Sequence, residues 1–220
     1  KVAKLAAGNK LPVQLTATFK KGKAETARTF TAYVAPRDER EAYLFAYLTG
    51  NSQSQEQVRY AISADGLSYT PLNGGNPVIG SDTIALKKAV RDPHVLRGAD
   101  GKTFYMVLTD MRSAEGWSSN RGLVMLRSTD LVNWQHARVH FPTRWPETWN
   151  NVTRVWAPQT IYDAEAGKYL VYFSLLSNDG RATYDRIYYC YANDDFTDLE
   201  GEPRILFDRG TSTIDGDIVF

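Results

Sequence analysis

This 220-residue chain has a single cysteine, Cys190, which excludes an intrachain disulfide framework and any metal site built on several cysteines. Cys190 lies inside the strand-like run Ile187 to Tyr191 and reads as a buried structural thiol. Long apolar runs are missing too. None approaches the roughly 18 residues of a membrane span, so no membrane insertion is expected. The chain opens on Lys1 rather than Met, so the lack of a visible signal peptide says little about targeting. An excess of either charge is lacking: 26 Lys and Arg stand against 25 Asp and Glu, a net charge of +1. That balance implies no nucleic acid and no acidic polymer as partner. Carboxylates are not clustered in a way that demands a metal ion. A 3.6-residue apolar period is absent as well, which leaves an all-β reading.

Aromatic residues are plentiful, with 13 Tyr, 9 Phe and 5 Trp. They favour strands over helices, and their rings also suit stacking on sugars. Residues 1–35 alternate as a hairpin does. Leu11-Pro-Val-Gln-Leu-Thr-Ala-Thr-Phe19 alternates apolar and polar, Lys20-Lys-Gly-Lys23 supplies a turn, and Arg28-Thr-Phe-Thr-Ala-Tyr-Val34 alternates again. Such a pair is not stable alone in water. The charged stretch Pro36-Arg-Asp-Glu-Arg-Glu41 contains no large apolar residue and reads as a linker over residues 36–42.

From about residue 42 the chain repeats itself. Ser63-Ala-Asp-Gly-Leu-Ser-Tyr69 returns 65 positions later as Ser128-Thr-Asp-Leu-Val-Asn-Trp134. It returns more loosely, 64 positions on, as Ala192-Asn-Asp-Asp-Phe-Thr-Asp198. Each copy follows a strand and precedes another extended stretch. A second element, strand–turn–strand, begins at Asp92-Pro-His-Val and returns at Ala157-Pro-Gln-Thr. It starts a third time at Asp215-Gly-Asp-Ile-Val-Phe220. Four strands in this order make a β-propeller blade. Residues 43–75 read as half a blade, 91–139 and 156–207 as whole blades, and 214–220 as the first strand of another. A five-bladed ring at this period needs roughly 300 residues, so the expectation is a partial five-bladed β-propeller over residues 43–220.

The first strand of each blade is the candidate for lining the channel. The slot before the turn-forming Pro or Gly holds Asp92, Ala157 and Asp215 in successive copies. An Asp before Pro often caps a turn. A carboxylate required for folding should recur in the middle copy, however, and alanine stands there. Asp92 and Asp215 therefore suit chemistry in the channel. Glycoside hydrolysis needs carboxylates disposed about the scissile bond. The inverting route leaves about 6.5–9.5 Å between base and acid for a water.

Arg91-Asp-Pro-His-Val95, Val155-Trp-Ala-Pro-Gln159, Gly167-Lys-Tyr-Leu-Val-Tyr-Phe-Ser174, Ser128-Thr-Asp-Leu-Val-Asn-Trp134 and Ile214-Asp-Gly-Asp-Ile-Val-Phe220 together resemble glycoside hydrolase family 43. The resemblance implies a five-bladed propeller that inverts configuration at arabinofuranosides, xylosides or galactans. It makes Asp92 the general base and Asp215 the residue that raises the pKa of the acid and orients it. It puts the acid itself on a glutamate of a following blade, and no Glu between 39 and 202 matches that position. It implies no required cofactor, allows a structural calcium at the propeller axis, and implies an oligo- or polysaccharide substrate. The hairpin is similar to the end of the reduced immunoglobulin-like domains that precede many secreted bacterial carbohydrate enzymes. A secreted, periplasmic or cell-surface location is therefore expected.

Two departures concern substrate more than fold: Gln159 follows Trp-Ala-Pro, and a half-blade precedes the Asp92 motif. Trp156 and Trp117 are candidate sugar platforms as well as candidate packing residues. Gln159 and His94 are candidate substrate-binding residues in the channel, although a lone histidine is commonly structural. Two other readings stay open. One is a non-catalytic glycan-binding propeller. The other is a sialidase-type enzyme, suggested by the Ser63–Tyr69 turn but lacking an evident arginine cluster among Arg91, Arg121 and Arg154.

Overall fold

The computed structural model describes residues 11–34 and 42–219. Most of the 36–42 linker lies outside the described residues. The chain divides into two compact units, Lys1–Tyr43 and Leu44–Phe220.

In the first unit, β1 (Leu11–Lys21) pairs antiparallel with β2 (Ala24–Val34), from Leu11 opposite Val34 to Lys21 opposite Ala24. Gly22, at φ 61°, takes the first position of the two-residue turn, where L side chains are disfavoured. The hairpin is as expected. Nothing in it reports on an immunoglobulin-like parentage.

The second unit is a series of antiparallel sheets. The first contains β3 (Tyr43–Tyr47), β4 (Arg59–Ser63) and β5 (Thr70–Pro71), in that order. After a one-turn helix α1 (Ser81–Ile84) come β6 (Val90–Arg97), β7 (Phe104–Asp110), β8 (Gly122–Ser128) and β9 (Gln135–His140), a four-stranded meander. A second short helix, α2 (Phe141–Arg144), leads to another meander. Its strands are β10 (Val152–Asp163), β11 (Lys168–Ser177), β12 (Arg186–Ala192) and β13 (Leu199–Phe207). The sheets do not close on themselves, so the observed architecture is a partial propeller.

Both faces of each central strand are covered, which explains why β7, β8 and β11 read as continuous apolar runs. Tyr105 and Val107 of β7, with Leu123 and Met125 of β8, join Val155, Val171, Phe173 and Leu175 of the next blade in one core. The alternate residues Met106, Leu108, Val124 and Leu126 face the other way, onto Tyr60 of β4 and Val58 just before it. Burying each such side chain contributes roughly 1.5–3 kcal/mol. A one-residue slip would exchange the two cores, so the pattern fixes the register. Gly122 is required at its place because a Cβ there would overlap the Val139 carbonyl.

The repeated turn joins the third and fourth strands of each blade. Asp65 Oδ1 accepts the N–H groups of Leu67 and Ser68, and Asp130 Oδ1 those of Val132 and Asn133. These bonds hold the Asp65 carboxyl down at about 2. In the last copy Asn193 Oδ1 does this work, accepting the N–H groups of Thr197 and Asp198. The left-handed residues are Gly66, Leu131 and Phe196. The third turn is thus one residue later than the Ala192 alignment, and the repeat is 65 positions both times.

Two expectations are corrected. The opening sheet has three strands, and its turn makes them the second, third and fourth strands of a blade instead of half of one. Residues 214–219 form no strand. An innermost strand draws its ladder only from the second strand of its own blade, as β6 does from β7, and among the described residues 214–219 have no such partner.

Candidate active site

Both full blades kink their first strand at the same place. Arg91 pairs with Thr109 and His94 with Val107, so Asp92 and Pro93 face a single partner residue. Trp156 pairs with Ser174 and Gln159 with Tyr172, so Ala157 and Pro158 do the same. Such a bulge re-aims the side chain it carries. Asp92 has φ 51°, Ala157 φ 45° and Asp215 φ 54°. Aspartate enters this left-handed region more readily than most residues, whereas it costs a β-carbon such as that of alanine roughly 1–2 kcal/mol. Ala157 adopts the bend regardless, so the backbone makes the slot and a carboxylate is not needed to form it.

A hydroxyl on the second strand ties each slot to the next blade. Thr109 Oγ1 donates to Asp92 Oδ2 at 2.7 Å and accepts the N–H of Ala157 at 2.9 Å. In the following blade Ser174 Oγ accepts the N–H of Asp215 at 3.2 Å. These two residues were not singled out from sequence. The signal was present: each lies on the strand that follows the Asp92 or Ala157 motif, paired with the residue just before that motif's Asp or Ala.

Burial is the main influence on Asp92 and pushes its pKa above the ordinary carboxylate value. The negative charge of Asp215 adds to the rise, while the Thr109 hydroxyl, the Arg91 guanidinium and the Ala157 N–H oppose it. A carboxylate raised in this way binds a proton more strongly once ionised, as a general base must.

His94 is held across blades, its Nε2 3.0 Å from the Thr160 carbonyl. Burial lowers its pKa, against opposing pulls from that carbonyl and from Asp217, and because a carbonyl only accepts, Nε2–H is the donor. Gln159 occupies the equivalent position. Its Oε1 accepts the Tyr172 hydroxyl at 2.8 Å, and that hydroxyl accepts the N–H of Ile218 at 3.1 Å.

Trp117 and Trp156 meet edge to face, with centroids 6.4 Å apart. Each carries a guanidinium: Arg91 lies 5.3 Å from the Trp117 ring centre and Arg154 4.6 Å from that of Trp156. Each arginine is in turn held by a buried carboxylate. Arg91 Nη1 donates to Glu56 Oε1 at 3.0 Å and to Asn51 Oδ1 at 2.8 Å, and Arg154 Nη1 donates to Asp185 Oδ2 at 3.1 Å. The buried amide of Asn120 brackets Val155, donating to its carbonyl and accepting its N–H at 3.2 Å, so the Trp117 loop is fastened to the strand that carries Trp156. Trp117 remains 53% exposed. Arg121 is spent on the carbonyls of Asn150 and Val152. All three arginines thus have fixed partners, and no open cluster forms for a sugar carboxylate.

Among the described residues no group of three or more His, Cys, Asp or Glu side chains is spaced to hold a metal ion. Cys190 is buried, which pushes its thiol up to about 12 and leaves it unreactive.

A family model described as a probable glycosyl hydrolase domain, related to glycoside hydrolase family 43, matches residues 38–220. Over 96% of its length the chain is 28% identical to an α-L-arabinofuranosidase of Bifidobacterium longum subsp. longum, of which it spans 22%. Among solved structures, an exo-1,5-α-L-arabinanase from a bovine ruminal metagenomic library aligns over 76% of this chain and 52% of its own, with TM-score 0.51 and 18% identity. A Bombyx mori β-fructofuranosidase of family 32 aligns over 96% of this chain and 51% of its own, with TM-score 0.54 and 15% identity. At these identities the two structures establish the propeller-type fold alone.

Proposed function

Because the chain belongs to the family of glycosyl hydrolase domains related to glycoside hydrolase family 43, we propose that it carries the general base of an inverting glycosidase. Asp92 takes a proton from water as the water oxygen attacks the anomeric carbon and the bond to the leaving oxygen breaks. The resemblance assigns protonation of that oxygen to a glutamate on a following blade. Asp215 acts on the site by its charge, and the Trp117–Trp156 pair forms the wall on which a sugar ring stacks. The observation that carries this reading is Asp92 itself. It is a desolvated carboxylate on a bulge, held by Thr109, with a second carboxylate raising its pKa.

The arabinofuranosidase relative makes an α-L-arabinofuranoside the first substrate to try, ahead of β-xylosides and galactosides. The natural protein, assayed on chromogenic glycosides of these three classes, is expected to prefer the arabinofuranoside. Proton NMR at early times is expected to show the inverted anomer first. A retained anomer would overturn the mechanism. Glycan binding without turnover would favour the non-catalytic reading.

Trp117→Ala is expected to raise KM roughly tenfold with little change in kcat, the loss of one stacked ring. Because Trp117 is half exposed, Tm should hardly move. An unaltered KM would return Trp117 to a packing role.

A polymeric substrate implies a secreted, periplasmic or cell-surface enzyme. No helix among the described residues is long and apolar enough to cross a membrane.

A further inference from the structure

The geometry points to Asp185 as a positioning residue that couples the tryptophan wall to the segment bearing Asp215. This rests on the function proposed above. Asp185 stands just before β12, outside every repeated motif, and is 5% exposed. Its Oδ2 accepts from Arg154 Nη1 at 3.1 Å and from Ser212 Oγ at 3.0 Å, and its own carbonyl accepts the N–H of Thr213 at 2.8 Å. One residue thereby grips the arginine stacked on Trp156 and two positions within three residues of Asp215. That grip matters because residues 208–219 form no strand. Asp215 is placed by individual ties: its N–H to Ser174, the N–H of Ile218 to Tyr172, and the two contacts to Asp185.

The second oxygen of Asp185 is buried without a hydrogen-bond partner. A buried carboxylate left half satisfied is costly, and a well-packed apolar replacement of a buried ion pair often matches or exceeds its stability. Fold stability is thus a poor account of this aspartate, and the two structures it joins are a better one. Loosening Arg154 should disturb Trp156 and therefore substrate affinity. Loosening Ser212, while the backbone tie of Thr213 remains, should let Asp215 move away from Asp92. The groups acting on Asp92 are Arg91 beside it, the Thr109 hydroxyl on β7, the Ala157 N–H on β10 and Asp215. Withdrawing the last removes a negative charge, so Asp92 ionises at lower pH.

The test uses the natural protein and a chromogenic arabinofuranoside, with Asp185→Asn, Arg154→Met and Ser212→Ala compared for KM, for the acid limb of the kcat/KM profile and for Tm. Arg154→Met should raise KM roughly five- to tenfold with the acid limb in place. Ser212→Ala should move the acid limb to lower pH with KM nearly unchanged. Asp185→Asn should do both. If the three variants change Tm alone, Asp185 is structural and the inference is overturned. If Asp185→Asn does not fold, the other two decide: wild-type KM and wild-type acid limb in both would overturn it equally. Asp92→Asn, run alongside, separates the two levels. If it is active, the proposed site falls. If it is inactive while the other variants behave as wild type, only the positioning role falls.

Discussion

Asp92→Asn is expected to lower kcat/KM by roughly 10²–10⁴-fold, the usual contribution of a positioned general base, and to leave the protein folded. The substitution suits the local structure. Asparagine tolerates the left-handed backbone at φ 51°, and its amide oxygen can still accept the Thr109 hydroxyl. It also removes a charge that burial disfavours. The sign of the effect on stability follows from the raised pKa. A carboxyl whose folded pKa lies above its unfolded one opposes folding once the unfolded form ionises, and it has no effect when both forms are protonated. The asparagine variant should therefore melt at or above the wild-type temperature near pH 7. That advantage should disappear as pH falls below the ordinary carboxylate range. Loss of activity with unimpaired stability is the signature of a residue kept for chemistry. Activity within a few fold of wild type on the best chromogenic substrate would remove Asp92 from the mechanism.

Arg91→Met is expected to destabilise the protein by roughly 3–5 kcal/mol, the cost of breaking a buried ion pair from one side. In a protein of this size that lowers Tm by roughly 10 °C. Glu56 is fully buried, and it is served by Arg91 at 3.0 Å and by the N–H of Ser113 at 3.0 and 3.2 Å. Without the guanidinium, one N–H is left to support a buried charge. Pairing the change with Glu56→Leu should recover much of the loss, because the orphaned charge leaves with its partner. Thermal and urea unfolding of the two single variants and the double variant measure this directly. An Arg91→Met protein within about 1 kcal/mol of wild type would mean that Glu56 reaches water. Arg91 also lies over Trp117, so the same variant should bind substrate more weakly wherever it still folds.

The parts of this fold that were legible in the sequence are those governed by short-range pattern. Phe104 to Thr109 and Tyr169 to Ser174 announce strands because both faces of each are buried. Ser63 and Ser128 announce turns because a hydroxyl and an aspartate two residues on can satisfy the local N–H groups. The 65-residue spacing followed from those turns, and only the third copy slipped, since asparagine replaced the serine–aspartate pair one position later. The site was less legible. The Asp–Ala–Asp series marked the slot, but the shared bulge and left-handed backbone depend on pairing with another strand. Thr109 and Ser174 look like ordinary strand residues until the neighbouring blade is present to donate to them. Glu56 sits in a polar, glutamine- and serine-rich stretch that reads as solvated, and its partner is 35 positions away. Asp185 is 31 positions from Arg154 and belongs to no repeat. Contacts at such separations leave no periodic trace.

The bend shared by Asp92, Ala157 and Asp215 also bears on how such a protein changes over evolutionary time. A kink written into the backbone at the same place in three successive copies is a set of interchangeable sockets. Each presents whatever side chain a single codon supplies, and the scaffold does not have to be rebuilt. Two sockets here are loaded and one is blank. The side chain in each socket can thus change in a single step, and the blank is a ready position for an engineer who wants a third functional group beside Asp92 and Asp215.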